Sequence, residues 1–205
     1  GSGFENHSKY GGAIYSHDTN GQGMYINLYI PSVLTWNEKN IQLKMETDYP
    51  EKGKITIRLD QCPAQQLAIN LRYPAWATTG ATVRINGSRQ KINNQPGSFI
   101  TLGRKWKKGD RIEIDFTMAL YEVAMPDNPD RRAVFYGPSI IAGVFGTEER
   151  KMGDIPVFVN EEKSMAAYIQ RASDKPLRFT TVAPGGPDNL TLMPFYQVYD
   201  QYQTV

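Results

Sequence analysis

Cysteine and histidine are scarce in this sequence of 205 residues, which contains one cysteine and two histidines. A single cysteine cannot form an internal disulfide. A zinc site needs three or four converging ligands, usually from cysteine and histidine. His7 and His17 are separated by two glycines among other residues, and no helical turn brings them together. The sequence therefore predicts no metal site and no cofactor within this chain.

Long apolar runs and clustered charges are also missing. The 23 basic and 21 acidic residues leave a formal net charge of +2, and the main basic cluster is the short RKWKK stretch at 104–108. A nucleic-acid-binding face needs a larger basic cluster, and a membrane-spanning helix needs about 20 apolar residues. We expect neither a nucleic acid nor a membrane as a partner. The first residues do not have the pattern of a signal peptide, so the signal of an exported gene product would lie outside this chain.

Sequence patterns of common catalytic sites do not occur either. There is no glycine-rich loop with phosphate-binding spacing and no G-x-S-x-G nucleophile elbow. A pair of glycosidase carboxylates is compatible with 21 acidic residues, but their number does not select a pair. The residues alone thus predict a fold without defining an activity.

Alternation of apolar and polar residues is the strongest positive signal. It occurs in GMYINLYIP at 23–31, KITIRLD at 54–60 and LAINLRY at 67–73, and it is typical of strands that bury one face. Asn86-Gly87 predicts a two-residue hairpin, because both positions tolerate a positive φ. We therefore predict a mainly β fold, with an antiparallel β-sandwich over residues 21–145.

Two segments outside this sandwich have a different character. The polar stretch GTEERKMGD at 146–154 predicts a boundary, after which residues 146–205 form a second, smaller β unit. At the other end, Phe4, His7, Gly11 and Ile14 or Tyr15 fall three or four positions apart. That spacing predicts a short N-terminal helix within residues 1–20.

Seven stretches in this order resemble the bacterial β-L-arabinofuranosidases, glycoside hydrolase families 127 and 146, formerly a domain of unknown function. They are GFENHSKYG, GMYINLYIPSVLTW, METDYP, LRYPAWA, VRING, RKWKKGD and VFYGPSIIAG. The resemblance covers essentially the whole chain and concerns the C-terminal β region of those enzymes. The last part, from PVFVN to LTLMPFYQVYDQY, is similar to a small C-terminal domain of one branch of the families.

The resemblance implies that the catalytic machinery lies elsewhere. Enzymes of these families carry their active site in an (α/α)6 barrel that precedes the β region, where a zinc-held cysteine thiolate is the nucleophile and a glutamate assists. Their Cys-Cys pair lies just before a stretch similar to Gly1–His7, so residues 1–20 would be the remnant of the last barrel helix. Cys62 matches no ligand position of the families, and Gly12 stands where we expect a glutamate. No catalytic residue is therefore assigned to this chain, and zinc is expected only in the parent enzyme.

Two groups of residues are candidates for sugar contacts. Glu5 and His7 belong to the stretch near the catalytic end of the barrel helix, and the resemblance makes them substrate-binding candidates; helix capping and packing is the alternative. Three tryptophans could form a sugar-stacking platform, although β-sandwich cores and interfaces also use this residue freely. They are Trp36, Trp76 and Trp106.

The function expected from this resemblance is structural. The chain would be the non-catalytic β-sandwich portion of a β-L-arabinofuranosidase-like glycoside hydrolase, bracing the missing barrel and meeting arabinose-containing glycans only through the parent enzyme. A carbohydrate-binding or protein-interaction module is the alternative, and an enzyme in its own right is a third. An uncovered apolar face would favour a homodimer. A bacterial parent of this kind would be periplasmic or secreted.

Overall fold

The fold is known from a computed structural model that describes residues 9–147, 164, 168–174, 176–182 and 190–199. It is mainly β, as predicted. Within these residues there is one short α-helix, α1 (Tyr10–Ala13), and no helix is long and apolar enough to span a membrane. The chain divides into two compact units, residues 1–118 and 119–205.

The first unit is a sandwich of two sheets. Strands β1 (Tyr15–His17), β2 (Gly23–Ile26), β6 (Gln65–Arg72) and β9 (Phe99–Trp106) form a four-stranded sheet in the order β1-β2-β6-β9, in which only the β2–β6 pair is parallel. The second sheet has the order β3-β4-β5-β10-β7-β8 and is antiparallel throughout. Its strands are β3 (Ser32–Trp36), β4 (Ile41–Thr47), β5 (Lys54–Gln61), β7 (Ala81–Ile85), β8 (Ser88–Gln90) and β10 (Arg111–Phe116). A single turn of 3-10 helix, η1 (Asn37–Lys39), connects β3 to β4.

The inward faces of both sheets supply one hydrophobic core. The alternating apolar residues of β5 and β6 are buried, as shown by Ile57 and Ile69, and so is Ile26 of β2; all three expose no surface. Burial of such a side chain contributes about 1.5–3 kcal/mol, so the alternation in the sequence directly encodes the packing of the two sheets. The polar residues between them face outward. The strand predicted over 23–31 is shorter than expected, since β2 ends at Ile26 and Ile30 is exposed.

A buried carboxylate joins two turns of the first unit. Asn86 and Gly87 have the predicted positive φ angles of 49° and 84°, and they connect β7 to β8. Asp110, only 1% exposed, accepts hydrogen bonds from Asn86 Nδ2 at 2.8 Å and from the Lys107 amide at 3.0 Å. Asn86 Oδ1 in turn accepts from the Arg111 amide at 2.8 Å. The hydrogen bonds satisfy a carboxylate that would otherwise be costly to bury.

The second unit contains a third sheet in the order β11-β12-β13-β16-β15-β14. Its strands are β11 (Leu120–Ala124), β12 (Arg132–Tyr136), β13 (Ser139–Gly143), β14 (Ile169–Asp174), β15 (Leu177–Thr181) and β16 (Thr191–Pro194), followed by the 3-10 turn η2 (Phe195–Gln197). Within it, the ring of Tyr136 packs against that of the buried Phe179, with centroids 5.1 Å apart.

The third sheet corrects the predicted domain boundary. Residues 120–143 were expected to belong to a sandwich over 21–145, but β13 pairs with β16, and the division falls between Met118 and Ala119. Alternation identifies a strand without identifying its partner, and this partner lies about 50 residues further along the chain. The polar stretch at 146–154 is thus not the boundary between the two units.

The predicted N-terminal helix is correct only in small part. Residues 1–8 lie outside the described residues, and α1 covers four residues. Tyr15–His17 is a strand, whose backbone pairs with Met24–Ile26. Gly11 and Gly12 lie within α1 and each disfavours helix by about 1 kcal/mol, which is consistent with a helix of only four residues. The backbone of Tyr15–His17 is satisfied by pairing with β2.

Two glycines give a test of this packing. A Cβ at the buried Gly53 would lie 2.0 Å from the carbonyl oxygen of Phe116, whereas a Cβ at Gly103 would meet nothing within 4 Å. We expect Gly53→Ala to lower the free energy of unfolding by about 1–3 kcal/mol or more, because backbone must shift. The control Gly103→Ala should change it by no more than about 0.5 kcal/mol. Urea denaturation measures both values, and equal stabilities for the two variants would contradict the strand packing at Gly53.

Candidate functional site

The three tryptophans occupy different environments. Trp106 is fully buried, and its Nε1 donates to the Leu67 carbonyl at 3.0 Å. Trp76 is half-buried, donates to the Tyr49 hydroxyl at 3.4 Å and packs edge-on against Phe116. Both therefore serve the core, and the three do not form one sugar-stacking platform. Trp36, in contrast, lines an open groove.

This groove, called the Trp36 groove below, lies where β1 and β3 form the outer edges of their sheets. Its volume is about 460 Å³. The Tyr15 hydroxyl and Ser32 Oγ are 2.9 Å apart and join the two edge strands. The lining residues come from β1, the β1–β2 turn, β2, β3 and η1. They are Tyr15, Ser16, His17, Thr19, Asn20, Gly21, Met24, Leu34, Thr35, Trp36, Glu38 and Lys39.

A stacked pair of rings forms one part of the lining. The His17 and Trp36 rings are 5.2 Å apart between centroids and 18° from parallel. His17 Nδ1 lies 2.7 Å from the Asp18 carbonyl oxygen. Because a carbonyl only accepts, Nδ1 carries a hydrogen, and in the neutral ring Nε2 is then an acceptor. The Lys39 ammonium lies 5.9 Å from the Trp36 ring centroid, within reach of a cation–π interaction.

The turn between β1 and β2 allows Lys39 to lie close. Asp18 Oδ1 accepts from the Gln22 amide at 2.8 Å, and its carbonyl accepts from the Gly21 amide at 3.1 Å. Gly21 has a φ of +61°, and a Cβ there would lie 3.1 Å from Lys39 Cε. A larger residue would therefore crowd the lysine stem against Trp36.

Several polar groups of the groove have no partner in the described part of the chain. No hydrogen bond links Trp36 Nε1, or the side chains of Thr19, Asn20, Thr35 and Glu38, to another described residue. These groups are available to water or to a ligand. Together with the stacked rings, they give an aromatic surface with both donors and acceptors at its rim.

A second groove of about 480 Å³ crosses the outer face of the four-stranded sheet. Gly23, Ala68 and Gly103 are paired in register across β2, β6 and β9 and line it. Asn70 also lines it; its amide donates to the Met24 carbonyl at 3.2 Å and its Oδ1 accepts from Thr101 Oγ1 at 2.8 Å. We call this surface the small-residue face.

The candidate residues from the sequence have mixed outcomes. Glu5 and His7 lie outside the described residues, so their substrate-binding role stays a prediction. Cys62 is buried and its Sγ donates to the Pro63 carbonyl. Burial raises the pKa of the Cys62 thiol, which disfavours the thiolate that zinc and nucleophilic chemistry need. Among the described residues, no three His, Cys, Asp or Glu side chains could hold a metal ion. These residues do not fit the zinc site of the resembling families.

The sequence did not reveal the Trp36 groove. Trp36 was a candidate, but His17 was considered only as a metal ligand, and Lys39 carried no signal. The one available signal was the turn sequence HDTNGQG, in which aspartate and glycine favour a tight reversal next to an aromatic-rich strand pair.

Tyr15 offers a test of the contact between the edge strands. Burial raises the pKa of Tyr15, and its hydrogen bond with Ser32 offsets part of the rise. The protonated phenol of Tyr15 is therefore favoured by the folded state. The free energy of unfolding keeps its full value below the unfolded-state pKa of about 10, and it falls as the pH rises through the higher folded-state pKa. We expect Tyr15→Phe to cost about 0.5–1.5 kcal/mol at pH 8 for the lost hydrogen bond and to weaken the loss of stability above pH 10. Denaturant titrations at both pH values measure this.

Ser32→Ala is the control for Tyr15→Phe. It removes the same hydrogen bond but leaves the half-buried phenol of Tyr15, so the variant should keep the full alkaline loss of stability. If the two variants respond identically to pH, the phenol of Tyr15 is not the titrating group.

Comparison with known proteins finds a family model that matches part of the chain. Residues 23–118 match the model described as beta-L-arabinofuranosidase, GH127 middle domain. No curated protein matches the chain in sequence.

Solved glycoside hydrolases share the fold. A GH127 beta-L-arabinofuranosidase from Geobacillus stearothermophilus T6 aligns with a TM-score of 0.73 at 17% identity, covering 96% of this chain and 34% of that one. A GH127 beta-arabinofuranosidase aligns with a TM-score of 0.64 at 24% identity, covering 90% of this chain and 34% of that one. A chain described as a glycoside hydrolase aligns with a TM-score of 0.63 at 20% identity, covering 89% of this chain and 34% of that one. The protein thus spans about a third of the length of these structures, and its residues 23–118 match the model of the GH127 middle domain of the beta-L-arabinofuranosidases.

Proposed function

We propose that this chain is the non-catalytic β region of a β-L-arabinofuranosidase-like glycoside hydrolase and that it braces a catalytic barrel. The observation that carries the proposal is the match of residues 23–118 to the GH127 middle domain. The coverage supports it, since nearly the whole chain aligns with only 34% of each solved hydrolase. We assign catalysis to the remaining two thirds of such an enzyme.

The described side chains give this proposal chemical support. A glycosidase acts through two carboxylates at a defined separation, or through another nucleophile paired with an acid. The Trp36 groove is lined by one carboxylate, Glu38, and the small-residue face by one, Asp18. The Cys62 thiol is buried, with a raised pKa. None of these arrangements is a catalytic pair.

The two outer faces of the sandwich differ in charge. The outer face of the six-stranded sheet has the ion pairs Lys44–Glu46, Arg58–Asp60 and Arg111–Glu113, one on each of three adjacent strands. Charged residues are depleted in the core of protein interfaces, so this face is suited to solvent.

The small-residue face is the surface suited to the barrel. Gly23, Ala68 and Gly103 leave the backbone of three strands approachable, and Tyr25 and Phe99 form an edge-to-face pair beside them, with centroids 5.3 Å apart. Asp18 is the one charged residue in the lining of this groove, and its Oδ1 already accepts a hydrogen bond from the Gln22 amide. The groove can therefore receive the side chains of a helix while burying few charges. We therefore assign barrel docking to this face.

A lysine on each face tests the docking. The chain is co-expressed with the polypeptide encoded directly upstream of Gly1, and the complex is purified through a tag on the chain. We expect Gly103→Lys to weaken association at least tenfold, because the ammonium would have to be desolvated. The control Thr56→Lys, on the charged face of β5, should bind like the unmodified chain. Equal binding of both variants would exclude the small-residue face, whereas the absence of an upstream barrel that binds the chain would contradict the bracing function itself.

The chain alone should have no glycosidase activity. We expect no hydrolysis of an aryl β-L-arabinofuranoside above the buffer rate, because neither of the two described grooves holds a paired nucleophile and acid. The upstream polypeptide together with the chain is the positive control. Turnover by the chain alone that a single substitution abolishes would contradict the proposal.

A further inference from the structure

The Trp36 groove has a use beyond bracing. We propose that it is an accessory binding site for a neutral oligosaccharide. The proposal stands on the geometry of the groove and does not depend on the bracing function. It concerns binding only, and no chemical step is assigned to the groove.

The aromatic part of the groove matches one face of a sugar ring. Sugar-ring C–H groups are apolar, and ligand sites commonly combine aromatic side chains with a few polar groups that fix the orientation. His17 is exposed and Trp36 is half-buried, and both of these stacked rings line the groove. Met24 and Leu34 add apolar surface to the lining.

The polar part of the groove matches sugar hydroxyls. A hydroxyl both donates and accepts, and it therefore needs a mixture of partners. Trp36 Nε1 and Lys39 Nζ donate, Glu38 and the neutral His17 Nε2 accept, and Asn20 does both. Two threonine hydroxyls, of Thr19 and Thr35, extend this set.

The charge of the groove disfavours ionic ligands. Glu38 and Lys39 are the carboxylate and the ammonium among the lining residues, so the two formal charges cancel. Glu38 would repel an acidic polymer or a phosphate, and Lys39 would repel a cationic ligand. In neither case does the groove carry a net charge of opposite sign that would compensate. A neutral, hydroxyl-rich ligand is the class that uses both groups at no electrostatic cost.

The groove is also preorganised. His17 is held by the Asp18 carbonyl, the carbonyl of Lys39 accepts from Gln65 Nε2 at 2.9 Å, and the Tyr15–Ser32 hydrogen bond joins the two walls. Fixing binding groups in advance lowers the entropy cost of association.

Trp36 provides a site-specific signal for the test. The chain, labelled with ¹⁵N, is titrated with arabinan, xylan and cellulose oligosaccharides while the indole N–H resonances are followed. We expect at least one neutral oligosaccharide to shift the Trp36 indole resonance in a saturable manner, because Trp36 lines the groove and its Nε1 has no hydrogen-bond partner among the described residues. Inositol hexaphosphate and oligoglutamate serve as charged comparison ligands.

Substitutions then locate the site. Trp36→Ala should weaken the binding at least tenfold, which corresponds to 1.4 kcal/mol or more, and the exposed His17→Ala should weaken it several-fold. The control Trp76→Phe changes a tryptophan outside the groove and should leave the affinity unchanged. Trp36→Phe keeps a ring and guards against loss of the fold, and it should retain part of the affinity.

Four outcomes would overturn the proposal. The first is that no neutral oligosaccharide shifts the Trp36 resonance up to its solubility limit, and the second is that Trp76→Phe loses as much affinity as Trp36→Ala. The third is that only the charged comparison ligands bind. The fourth is that only self-association of the chain shifts the Trp36 resonance. The last outcome would assign the groove to a protein contact.

Discussion

The burial of alternating apolar residues between two sheets is the constraint on which the first unit depends. Ile26 and Ile69 from one sheet, with Ile57 from the other, expose no surface, and every outward residue is determined once these face inward. A shift of one residue in register would exchange the faces and place charges in the core. The opposite characters of the two outer faces are therefore consequences of the same alternation. The position of the Trp36 groove also follows from this packing. The two sheets end at their edge strands β1 and β3, and the groove lies between these strands.

The alternating pattern was sufficient to predict the mainly β fold and several of its details. The strand segments at 54–60 and 67–73 are found as β5 and β6, and the Asn86-Gly87 hairpin has the predicted backbone angles. These features are local, since each depends on residues that are neighbours in sequence. The fully buried Trp106 shows the limit, because the RKWKK stretch is polar and burial depends on the neighbouring sheet.

The features that the sequence did not predict are those that join distant segments. The end of the first unit near Met118 depends on β13 pairing with β16, and no composition change marks it. The Trp36 groove depends on β1 and β3 lying at the same edge of the sandwich, which brings His17 onto Trp36. A residue's type indicates what it can do, but its partner is determined by the packing of the two sheets. For that reason Trp36 was a candidate in the sequence, whereas the site around it was not.

The hydrogen bonds of Asn86 have a consequence for modification of the protein. Asn86-Gly87-Ser88 is an acceptor sequence for N-glycosylation, yet the Asn86 amide nitrogen donates to the buried Asp110 and its oxygen accepts from the Arg111 amide. A glycan replaces one of the two hydrogens on that nitrogen and leaves the other as a donor. In a eukaryotic secretory host, the hydrogen that remains would have to be the one that faces Asp110 if the folded turn is to keep this bond. The turn therefore restricts a glycan on Asn86 to one orientation about the side-chain amide bond.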